Sequence, residues 1–374
     1  MLDLTPLTDQ LGDAGAAILV GAVVGALFGI LAQQSRFCLR AAVHEVSRTD
    51  DRGSLGLWLA AFGAAIVVTQ ALVGADLIDT FAVRPLNEAP SLTGALVGGL
   101  LFGAGMMLAN GCASRHLVLA GTGNLRAVAV FALFALTAVT TISGPLAPVQ
   151  QAIAGAWRLD QSAGHALAVA GQGPAAGIVI GLALLAAGLW LAYRANHTGL
   201  RLMAGVGVGL VIALGWFLTT ALSRHTFEPT QVESAAFTAP GAHVATLFMA
   251  PGDAALGFDT GFLPAVLIGA FTAAALSREV QIAWFPSVAV ALRYAVGAIL
   301  MGFGGVLAIG CSVGGLANAT LMITASILAL AAMWAGALAV DRLMGVSWQS
   351  LLDGYRAHAA RTQQPGLIAH HVGD

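Results

Sequence analysis

Apolar residues fill this chain in long blocks, separated by short polar stretches, with neither the alternation of a half-buried strand nor the one-sided stripe of a surface helix. A block of roughly 20 mostly apolar residues is what a helix needs to cross about 30 Å of hydrocarbon. Nine such blocks are predicted, near 14–34, 54–75, 92–110, 125–142, 173–193, 202–222, 262–276, 288–309 and 321–340, the seventh being short. The two longest connections, near 143–172 and 223–261, carry Pro, Gly and polar residues and predict short surface helices. Residues 1–13 form a polar lead with three aspartates and no basic residue, which does not match the basic start of a secretory signal. Residues 346–374 predict a disordered tail whose His370 and His371 are solvated rather than metal ligands.

Composition sharpens this picture to one class. Of 374 residues, 58% are hydrophobic and 9% charged, and the mean hydropathy is +0.85. Charged residues make up about a quarter of a soluble domain, so a soluble protein is excluded. The expected fold is an all-α integral membrane protein with one transmembrane domain, residues 14–345. The arginines orient it, because cytoplasmic loops are enriched in basic residues. With the N-terminus outside, twelve arginines fall on cytoplasmic segments, and only Arg84, Arg158 and Arg224 fall outside; Arg293 lies within the eighth block. The expected topology therefore has the N-terminus outside and the C-terminus and tail in the cytoplasm.

An internal repeat adds geometry. A shift of 199 residues lays "GGLLFGAGMMLANGC", 98–112, on "GAILMGFGGVLAIGC", 297–311, and eight of the fifteen positions agree, Cys112 with Cys311 among them. The two segments are five spans apart, so they run in opposite directions through the membrane and predict an inverted repeat. Repeat one covers about 14–142 and repeat two about 202–340, joined by a linking helix at 173–193. Transporters built this way place their solute sites near the midplane, where helices are broken. The Gly-rich stretches after Cys112 and Cys311 are too short to span. They predict re-entrant half-helices around a central constriction, with Gly111 and Gly310 allowing each break.

The chain has three cysteines, Cys38, Cys112 and Cys311. Three thiols in so long a chain make no disulfide framework, and they are expected to be reduced. Cys38 follows Gln33, Gln34 and Arg36 at the cytoplasmic edge, and its repeat counterpart is expected within 207–220, which holds no cysteine. A thiol offers a weak S–H donor and a soft sulfur, which suits a sulfur-bearing solute better than sulfate. The half-helix N-termini would supply N–H donors and the positive end of a dipole to an anion. The membrane core itself is expected to hold little fixed positive charge. Arg293 reads equally well as an anion attractor or as a side chain reaching to the inner surface. Two other readings remain: a membrane thiol oxidoreductase, for which the sequence has no Cys-x-x-Cys pair, and a soft-metal or selenium-compound transporter using Met106 and Met107.

The motif "SRFC" after the first span, together with "NGC" and "IGC" closing two repeat-related spans, resembles the YeeE/YedE family of bacterial inner-membrane proteins. The resemblance runs from about residue 14 to 345. It implies an hourglass-shaped inverted-repeat fold and an uptake permease, not an enzyme, for thiosulfate or a close relative. By the same resemblance, Cys311, Cys112 and Cys38 would pass the anion inward by successive S–H to sulfur hydrogen bonds. Gly111 and Gly310 would flank that site. No cofactor or metal is implied, and a separate small cytoplasmic sulfur-carrier protein is the expected partner.

Overall fold

A computed structural model describes residues 5–49, 51–166, 172–226, 231–249 and 255–344; the tail and its two histidines lie outside the described residues. The first apolar block forms α1 (Thr5–Ser35), which begins in the polar lead and turns sharply at Gly12, where φ is 70°. There follow α2 (Leu39–Arg48), α3 (Gly53–Gly74), α4 (Leu92–Leu108), α5 (Ala113–Gly121) and α6 (Leu125–Ile142). After the surface helix α7 (Ala147–Gly155) and the linking helix α8 (Pro174–Arg194) come α9 (Gly199–Ser223) and α10 (Thr238–Met249). The chain closes with α11 (Phe258–Leu276), α12 (Val288–Leu307), α13 (Ser312–Thr320) and α14 (Thr324–Met344). Among the described residues, nine helical segments are long and apolar enough to cross a membrane. The protein is an all-α, multi-pass membrane protein.

The shift of 199 residues now acts on whole elements. It carries α5 onto α13 end for end, starts α6 where α14 starts, and overlaps α1, α2, α3 and α4 with α9, α10, α11 and α12. Packing obeys the same relation. The pair α1 and α11 has its mate in α9 and α3, the pair α4 and α14 in α12 and α6, and the pair α5 and α11 in α13 and α3. One correction follows. The helix in the second long connection, α10, is no surface helix but the mate of α2, so Cys38 corresponds to Phe237 and not to a residue within 207–220.

The centre of the relation is the crossing of α4 with α12. Gly98 meets Gly304 and Gly105 meets Gly297; a Cβ on any of the four would lie 2.6–2.7 Å from the partner's carbonyl oxygen. Since Gly98 matches Gly297 and Gly105 matches Gly304 under the shift, each contact is the image of the other. That is the signature of a two-fold relation between antiparallel helices. Only glycine allows backbones to approach so closely, and dispersion between them replaces the hydrophobic effect that lipid does not supply.

On the other side of the fold from α2, the segment before α10 and the start of α11 hold an acid cluster. His243 pairs with Asp259 at 3.0 Å through Nδ1, and its Nε2 lies 2.8 Å from the Ala255 carbonyl oxygen. The bond to Asp259 raises the His243 pKa, and burial, aided by Asp259, pushes Glu233 up. Both groups thus hold protons more tightly folded than unfolded, and their stabilisation is present at low pH and lost as pH rises through the folded values. Amide exchange across 231–249 is expected to quicken, by more than the intrinsic base catalysis, as pH rises above the ordinary carboxylate and histidine values, and His243→Ala to remove the His243 part of the excess.

Candidate functional site

Each half-helix exists because the preceding span is stopped by a residue in the left-handed region. In the first break this is Asn110, at φ 64°; in the second it is Ile309, at φ 55°, followed by Gly310 at φ 148°. Asn adopts this conformation readily, whereas a β-branched residue there is an outlier that its surroundings must hold. Asn318 donates from Nδ2 to the Ile309 carbonyl at 3.1 Å and ties the break to α13. Gln70 and Trp216 donate to the Thr320 and Ala317 carbonyls at 2.7 and 3.3 Å, so α3 and α9 satisfy the end of that half-helix. Gly111 has no left-handed φ. Its role is room, since a Cβ there would meet His116 Nε2 at 3.1 Å.

The three cysteines share one local position: Cys38, Cys112 and Cys311 are the N-cap residues of α2, α5 and α13. The N-cap faces the unpaired N–H groups of a first turn and the positive end of the helix dipole. Cys311 Sγ accepts from Gly314 N–H at 3.4 Å, in the manner of a capping hydroxyl. Cys112 Sγ lies 3.3 Å from Ser114 Oγ, and Ser312 Oγ, buried without a hydrogen-bond partner, acts on the same sulfur. Cys112 and Cys311 are buried and Cys38 is half-buried. Cys112 lies between the others and acts electrostatically on both the Cys38 thiol and Cys311. All three thiols are free.

The fourth helix of the set, α10, is preceded by Phe237 where α2 is preceded by Cys38. Phe237 is fully buried, with its ring 5.2 Å from Phe28 and 5.4 Å from Phe262. The Phe237 backbone acts on Cys311, so aromatic rings border the Cys311 end of the thiol row, while the Cys38 end continues toward polar groups. Truncation of a buried phenylalanine costs about 3–5 kcal/mol. Phe237→Ala is expected to lower the unfolding midpoint of the purified protein by that measure, and Phe237→Leu to recover most of it.

Positive charge is the feature the sequence reading missed. Arg115 stands three residues after Cys112 on α5 and acts on both Cys38 and Cys112. Arg40, two residues after Cys38, is 8% exposed and acts on Cys38. In the sequence both read as loop arginines, but α2 and α5 fold them back toward the thiols. Beyond them, Gln33 and Arg36 bind Glu279 at 2.9 and 3.0 Å, beside a polar cavity of about 340 Å³ shared with His197 and Arg201. Met106 and Met107 pack in the apolar core, and no group of three or more His, Cys, Asp or Glu able to hold a metal occurs among the described residues.

Comparison with known proteins agrees with this arrangement. Residues 34–339 match the profile of the family described as "Sulphur transport". The chain is 28% identical over 314 residues to a thiosulfate transporter TsuA of Spirochaeta thermophila, covering 79% of this chain and 89% of that protein. It is 25% identical over 330 residues to the thiosulfate transporter TsuA of Escherichia coli K12, covering 82% and 88%. The match takes in all three cysteines and both breaks, and the chain belongs to this sulphur transport family, the YeeE/YedE proteins that its cysteine motifs resemble.

Proposed function

We propose that the protein is a permease that takes up thiosulfate along the row Cys311, Cys112, Cys38. One observation carries the reading: all three thiols cap short helices, and Cys112 acts on both of the others. Burying a free dianion costs tens of kcal/mol, and a helix N-terminus contributes up to about 2 kcal/mol in a partly buried site. Several such ends and Arg115 therefore act together to offset desolvation. The thiols add selectivity, because an S–H donor meets the terminal sulfur of thiosulfate as soft to soft. Gly111 and Gly310 keep the walls narrow beside Cys112 and Cys311. Passage is by hydrogen bonds passed from sulfur to sulfur, with no covalent adduct.

The membrane is the bacterial inner membrane, with the N-terminus outside and the tail in the cytoplasm, in keeping with the arginine asymmetry. The repeats run over about 14–142 and 202–340, with 173–193 between them, inside one domain of 14–345. The Cys38 end then faces the cytoplasm, where a small sulfur-carrier protein would receive the anion. The names of the similar proteins support the substrate. The test is growth of a host that lacks its own sulfate and thiosulfate uptake, on thiosulfate as sole sulfur source. The chain is expected to restore growth, and failure of a well-expressed protein to do so would exclude thiosulfate as its substrate.

A further inference from the structure

Past Cys112, on the Cys38 side, three arginines from three different helices gather around one tyrosine. The guanidinium groups of Arg126, from α6, and Arg293, from α12, each lie 5.6 Å from the centre of the Tyr294 ring. Arg40, from α2, acts electrostatically on Tyr294 and Arg293, and Arg40, Arg115 and Arg126 all act on His116. His116 packs edge-on to Tyr294, with ring centres 6.4 Å apart. It is 3% exposed, and neither of its ring nitrogens has a hydrogen-bond partner. Arg115 Nη1 and Arg293 Nε are also buried without partners. Buried donors are almost always satisfied, so the unused donors of His116 and Arg293, both against the Tyr294 ring, mark a place where a guest belongs.

The nearby acids do not fill that role. Asp341 accepts from His44 at 3.1 Å and from Ser47 and Arg48, and Glu279 accepts from Gln33 and Arg36. Repeat symmetry provides an independent observation. At the positions equivalent to Arg40, Arg115, His116, Arg126, Arg293 and Tyr294 stand Ala239, Gly314, Gly315, Ala325, Gly94 and Ala95. Every polar member of the chamber has a small, neutral mate on the Cys311 side. The charge is thus no by-product of the fold, since the same backbone is built without it half a molecule away.

We propose that this chamber is a second anion site, built for the oxyanion end of the solute. It resembles a sulfate site, in that hard N–H donors and guanidinium groups recognise tetrahedral oxygens, whereas the thiol row recognises sulfur. An anion moving from Cys311 to Cys38 passes from neutral walls into cationic ones, which gives the pathway a preferred direction of occupancy. The inference builds on anion passage through the thiol row.

The test is equilibrium binding of radiolabelled thiosulfate and of radiolabelled sulfate to purified full-length protein. Wild type is expected to bind both. Cys112→Ala, which removes sulfur recognition, is expected to keep the sulfate-displaceable binding. The double variant Arg126→Gln/Arg293→Gln is expected to lose sulfate affinity by about tenfold or more, as loss of charge-assisted hydrogen bonds implies. Arg126→Lys/Arg293→Lys is expected to recover part of it, which separates lost charge from lost folding. Sulfate binding that is absent from wild type, or unchanged in the Gln double variant, overturns the chamber. Sulfate binding that depends on the arginines with no thiosulfate binding sustains the chamber and overturns the thiosulfate reading instead.

Discussion

Replacing Cys112 with alanine is expected to lower the initial rate of thiosulfate uptake by roughly 10- to 100-fold, the effect of losing a hydrogen bond to a charged group worth about 1.5–3 kcal/mol. Cys112 is the position with no substitute, because it contacts Cys38, Ser114 and the field of Cys311 and Arg115 together. Cys112→Ser is expected to restore only part of the rate, since a hydroxyl keeps a donor at the N-cap but offers a hard oxygen to a soft sulfur. Cys38→Ala should cost less than Cys112→Ala, because Cys38 is half-buried and water can share its role. Uptake of labelled thiosulfate by cells expressing each variant at matched levels measures all three, and equal rates for Cys112→Ala and wild type would remove the thiol from the pathway.

The second large effect is expected at Gly310. Its φ of 148° suits glycine alone, and an added Cβ would lie 3.0 Å from the Gly315 nitrogen and 3.1 Å from the Gly314 carbonyl carbon. Those atoms belong to the first turn of α13, the turn that Cys311 caps. Gly310→Ala therefore carries about 1–3 kcal/mol of backbone strain and displaces Cys311 from its bond to Gly314. Gly111→Ala meets only the His116 ring, a side chain able to shift by a few tenths of an ångström. The unfolding midpoint in detergent should fall clearly for Gly310→Ala and little for Gly111→Ala. Equal falls would mean that the two breaks tolerate the same backbone after all.

How much of this was readable beforehand depended on whether a feature was written in one stretch of chain. The spans were, because each is a contiguous apolar block. So was the inverted repeat, because glycines that let α4 cross α12 must recur on both helices, and Gly98, Gly105, Gly297 and Gly304 do. Phe237 as the mate of Cys38 was hidden. The helix it precedes is 12 residues long, too short to read as a span, and the match at that point pairs a thiol with an aromatic ring. The shared N-cap position of the cysteines was half visible: Cys112 and Cys311 stood before short Gly-rich segments, but Cys38 stood before "LRAAVHEVSR", which reads as an ordinary loop.

The arginine chamber left least trace. Its members come from α2, α5, α6 and α12, and in sequence Arg40, Arg115 and Arg126 are what any cytoplasmic loop would carry. Only the folding back of α2 and α5 converts a topological signal into buried charge. The signal that would have found them is the repeat itself, since aligning 113–126 with 312–325 sets Arg115, His116 and Arg126 against Gly314, Gly315 and Ala325. Arg293, which the sequence left between two roles, lies over Tyr294 within this group.

The claim at the centre of this account is that thiosulfate passes the cysteines whole. Proteoliposomes offered thiosulfate labelled either at the terminal sulfur or at the sulfonate sulfur test it directly. The account predicts that both labels enter wild-type vesicles at the same rate, and that both enter vesicles bearing Cys112→Ala together at a rate roughly 10- to 100-fold lower. Terminal label retained on the protein while sulfonate label emerges as sulfite would mean that a cysteine attacks the terminal sulfur to form a persulfide, and would contradict it.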